Sequence, residues 1–172
     1  MHYISRTCTQ RHAPVPMTAR CMATALFVIC LLLPVKIGYT DGCGMTAHLL
    51  FPMFHANIWH LACNTLCLFM MRGQYIPATA ISFICSFLPA FAAEPVMGFS
   101  SVLFAVAGIR WGQTGQLATM TARMLPFILI TALLPRVAWA IHLYCLYAGF
   151  IYGYAEKEIR KKRAASHTRH RR

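Results

Sequence analysis

Six apolar runs set the possibilities for this chain, at 21–39, 54–71, 75–93, 97–109, 117–134 and 137–154. Each is separated from the next by a short link carrying Gly, Pro or a charged residue. Runs of this kind read as membrane-spanning helices, since about 20 apolar residues cross a bilayer. The expectation is therefore an all-α, polytopic membrane protein, a six-transmembrane-helix bundle over residues 21–154. A basic arm over 1–20 and a basic tail over 155–172 flank it. With 58% hydrophobic residues, 12% charged residues and a mean hydropathy of +0.54, an ordinary soluble domain is excluded.

Charge placement gives the expected topology. Six spans put both termini on one side, and that side then holds fourteen of the sixteen Lys and Arg, with only Lys36 and Arg136 opposite. Basic residues collect on the cytoplasmic side, so both termini are predicted to be cytoplasmic in a multi-pass protein of the plasma (inner) membrane. The net charge of +12 belongs mostly to the tails. There it serves topology and contact with the lipid bilayer, and nucleic acid is not the expected partner. The eight cysteines include no CxxC pair, so neither a metal site nor a disulfide framework follows.

Against this apolar background, a few polar residues need a reason. His60 and Asn64 stand at i and i+4 and share one helix face. Ser100 follows Gly98-Phe99 at the start of the fourth run, and His142 lies near the start of the sixth. In the expected topology all three helices enter from the outer face and carry these groups to a similar depth. A serine hydroxyl becomes a useful nucleophile when a neutral imidazole takes its proton, which assigns Ser100 as nucleophile and His142 as base. His60, Asn64 and the Ser100 backbone N–H are the candidate oxyanion donors. No Asp or Glu lies within a run, so a dyad is expected rather than a triad. Ser101 sits about 100° round the helix from Ser100. Ser82 and Ser86 have no evident partner, and His48 reads as solvated. Gly149 and Gly153 form a small-xxx-small pair for close helix contact.

Taken together, His-x4-His-x3-Asn from His55 to Asn64, Gly-x-Ser at 98–100 and His142 before Gly149 resemble the rhomboid family of intramembrane serine proteases. The likeness covers residues 40–154. It implies a serine endopeptidase that cleaves single-span transmembrane proteins near the outer membrane face, with no cofactor and no metal. It implies His55 as a supporting histidine at the cavity mouth and Phe104 as the aromatic stacking on the base. The chain departs from the family at Ser101, where Gly is usual, at Cys145, also usually Gly, and at Phe104, often Tyr. The alternative implied by those departures is an inactive rhomboid-like protein that binds transmembrane helices without cutting them.

Overall fold

The computed structural model describes residues 15–92, 94–133 and 137–169, the side chains of 167–169 excepted. Within them run seven α-helices: α1 (Met17–Leu32), α2 (Met45–Leu50), α3 (Ile58–Met70), α4 (Tyr75–Cys85), α5 (Ser100–Thr114), α6 (Leu117–Leu133) and α7 (Trp139–Arg169). A 3₁₀ turn, Phe51–Met53, follows α2. Each apolar run thus contains one helix, and α2 adds a seventh in the link expected to be irregular.

The polytopic membrane bundle is corrected by the lengths of these helices. Among the described residues, no helix is long and apolar enough to cross a membrane. The placement in a plasma membrane as a multi-pass protein, with both termini cytoplasmic, loses its basis with it. Five of the helices hold 11 to 17 residues. At 1.5 Å per residue they reach about 17–26 Å, short of a hydrocarbon core about 30 Å thick. The apolar runs overstate them because Pro34 and Pro89 lie inside runs that the helices leave early, proline lacking the N–H needed to continue. Helix α7 has 31 residues. Its apolar half is diluted by His142 and four tyrosines, and its second half carries the Lys and Arg of the expected tail.

Residues 1–14 of the expected basic arm, together with Ala93, Leu134 and Arg136 of the runs and links, lie outside the described residues. Arg20, assigned to that arm, is instead buried on α1. Its guanidinium donates to the carbonyls of Phe69 at 2.5 Å and Met71 at 3.1 Å, groups that the end of α3 leaves without helical partners.

The core gathers Phe27, Tyr39, Phe51, Leu61, Phe99, Val102 and Ile141 around α5. The spine is α5 against α7, and the sequence permits unusually close backbones there. A methyl group at Gly149 would collide with the Ala105 carbonyl oxygen, and one at Gly112 with that of Phe150. At the far end of the pair, Glu156 accepts hydrogen bonds from Gln74 at 2.9 Å and Gln113 at 2.8 Å, and Lys157 donates to the Thr114 carbonyl at 2.7 Å. These contacts fix the register of α5 on α7.

The segment leading into α5 is held from both sides. Tyr39 and Val96 exchange backbone hydrogen bonds of 2.9 and 2.8 Å, and the Gly98 N–H donates to the Phe51 carbonyl at 2.9 Å. The α2 region thereby anchors the loop that presents Ser100.

Candidate active site

Three helix N-termini meet at one place. Asn57 caps α3 by accepting the His60 N–H at 2.9 Å, which makes His60 the third residue of that helix. Ser100 is the first residue of α5, and His142 is the fourth of α7. The Ser100 Oγ and His142 Nε2 are 2.8 Å apart, a hydrogen bond between α5 and α7. For Nε2 to accept the serine proton, the ring's own proton must sit on Nδ1. Among the described residues nothing hydrogen-bonds that buried Nδ1, so the pair has no third, orienting group. Orientation comes from packing instead: Phe104, one turn beyond Ser100, stacks on the His142 ring at 4.5 Å between centroids.

Gly98 is required twice over. Its φ of +118° belongs to a region that disfavours side chains, and a methyl group there would stand 2.5 Å from His60 Cε1 and 3.3 Å from Asn64 Nδ2. His60 and Asn64 therefore close directly on the loop two residues before the serine. Asn64 is buried, and among the described residues its amide Nδ2 has no hydrogen-bond partner. An unpaired buried donor carries an energetic cost, and a site that supplies an anionic oxygen would satisfy it. The N-terminus of α5 adds backbone N–H groups without helical acceptors and a positive dipole end. His55 is fully buried, meeting the His60 ring edge-on at 5.2 Å and Phe27 at 5.1 Å.

Of the three departures, Phe104 packs on the base, while Ser101 and Cys145 turn away from this site. The Ser101 hydroxyl is buried and accepts from Ser82 at 2.7 Å, facing α4 rather than the His142 ring. Ser82, without an evident partner in the sequence, finds one here. Cys145, also buried, lies in the same core cluster as Cys85. Gly108 and Gly112 escape a reading of the sequence, although their spacing matches that of Gly149 and Gly153. His48, expected to be solvated, is buried and bonded to Ser86.

Burial keeps the His142 imidazole neutral: desolvation, with nearby His60 adding to it, pushes its pKa down to about 4. His55 is pushed down to about 4 in the same way, and burial lowers His60 too. The unfolded chain binds these protons near pH 6.5 while the folded one refuses them until about 4, so stability rises with pH across that interval. Lowering the pH from 7 to 4 is expected to cost roughly 6 kcal/mol, about 3 kcal/mol from each of His55 and His142, at about 1.36 kcal/mol for every tenfold loss of proton affinity. Chemical denaturation at stepped pH measures this directly. A free energy independent of pH between 6.5 and 4 would show that the rings are not held neutral.

No protein-family model matches the chain, and no curated protein matches it at a significant level.

Proposed function

We propose that this chain is a serine endopeptidase of rhomboid type, in which Ser100 attacks a peptide carbonyl and His142 carries the proton. The observation that bears most of the weight is the 2.8 Å hydrogen bond from Ser100 Oγ to a neutral, immobilised His142. As Ser100 adds to the carbonyl carbon, its proton passes to His142 Nε2, and the imidazolium then protonates the leaving amine. The acyl-serine is opened by water, activated by the same ring. Asn64, His60 and the Ser100 N–H receive the oxyanion, and no metal or cofactor enters any step.

The proposed substrate is the apolar segment of a transmembrane protein. Ile58 and Trp59, on the same turn as His60, are 58% and 79% exposed, an apolar rim suited to such a chain. The peptide must be locally extended, because helical carbonyls are already hydrogen-bonded.

A fluorophosphonate probe tests the nucleophile. Labelling is expected in the wild type and in Ser101→Ala, and it is expected to vanish in Ser100→Ala. Absence of labelling in the folded wild type, with retained binding of a transmembrane peptide, would overturn the enzyme in favour of the non-cleaving binder.

A further inference from the structure

A second constellation lies away from the dyad, where residues 40–48 meet the end of α4. It borders a pocket of about 360 Å³ lined by Asp41, Cys43, His48, Ser86 and Phe87, among others. Cys43 Sγ is 3.3 Å from His48 Nε2, and His48 Nδ1 is 2.9 Å from Ser86 Oγ. The far end of this chain decides where the protons sit. Ser86 Oγ lies 2.6 Å from the Phe83 carbonyl, which can only accept, so the hydroxyl proton goes there. The Ser86 oxygen must then accept from His48 Nδ1–H. That leaves the lone pair of Nε2 facing the Cys43 thiol. The ring cannot turn away, since Phe87 stacks on it at 4.1 Å and Tyr39 at 5.4 Å. Cys43 is partly exposed in the pocket wall, while His48 and Ser86 are buried.

We infer that Cys43 is a reactive thiol served by His48 as base, and that this pocket is a modification site for small disulfides. Asp41 at the rim favours a cationic aminothiol disulfide over an anionic one. In the exchange, His48 Nε2 takes the thiol proton and the Cys43 sulfur attacks one sulfur of the disulfide. The old S–S bond breaks as a mixed disulfide forms on Cys43, and the departing thiolate takes the proton back from His48. The small disulfide is the oxidant and leaves as one free thiol, so atoms and electrons balance.

The test is to incubate the full chain with cystamine at pH 7 and follow each cysteine by peptide mass spectrometry. Cys43 is expected to be modified about tenfold faster than the exposed Cys21, Cys63 and Cys67. His48→Asn is expected to slow Cys43 roughly 10²-fold, the lower end of what a placed base supplies, without changing the rate at Cys63. Ser86→Ala, which loosens the ring but leaves it present, is expected to slow Cys43 by less. If His48→Asn does not fold, the wild-type ratio of Cys43 to Cys63 and the Ser86→Ala rate decide the matter. A Cys43 rate equal to that of Cys63, or one indifferent to both substitutions, would overturn the proposal.

Discussion

Alanine in place of Ser100 or of His142 is expected to lower kcat/KM for a single-span test substrate on the order of 10⁴-fold, and the double variant is expected to be no worse than either single one. The reason is mutual dependence. His142 has no other partner through which to act, its Nε2 being bound to Ser100 and its Nδ1 unbonded among the described residues. Among the described residues His142 is the one base hydrogen-bonded to Ser100, and the neighbouring Ser101 hydroxyl is taken up by Ser82. Once one member is gone, the other contributes nothing more. What survives is the rate supplied by Asn64, His60 and the α5 N-terminus acting on water attack. Cleavage assayed with the four proteins at equal concentration in detergent micelles measures the cycle. Losses that multiply in the double variant would mean that the two residues act separately, and the dyad would fail.

Much of this site can be read from the sequence because polar side chains inside apolar runs are conspicuous. His60, Asn64, Ser100 and His142 are legible on those grounds, and the rhomboid likeness is what singles out Phe104 as the ring that stacks on the base. The helix boundaries are not legible in the same way. Hydropathy sums apolar residues whether or not one helix contains them, and it gives Pro34 and Pro89 little weight although each limits a helix. The same blindness starts the second helix with its apolar run at 54, which sets His60, the seventh residue of the run, nearly two turns in. The Asn57 cap starts α3 later and puts His60 in the first turn. The His48 cluster escapes notice because its partners are far apart in sequence, Ser86 lying 38 residues on, and a Gly- and Thr-rich link carries no periodic signal.

The α5–α7 crossing carries the second large effect. Gly149→Ala is expected to destabilise the fold by about 3 kcal/mol, the upper end for an overpacked contact. For a chain of this size that lowers the midpoint of thermal unfolding by roughly 6–12 °C. The added methyl would run into the Ala105 carbonyl oxygen, a main-chain atom that cannot swing aside, so the helices must separate. Separation lengthens the Ser100–His142 hydrogen bond, which lies on the same pair of helices. Activity should therefore fall further than the loss of folded protein explains. Because the obstructing atom belongs to the backbone, Ala105→Gly cannot rescue Gly149→Ala, whereas trimming a side chain would relieve an ordinary steric clash. Gly44→Ala is the control: nothing lies within 4 Å of its added methyl, and the expected cost is under about 1 kcal/mol. Melting curves and cleavage rates for the three variants separate the cases. If Ala105→Gly restored both stability and turnover, the contact would be one between side chains, and the backbone account of how the dyad is held would be wrong.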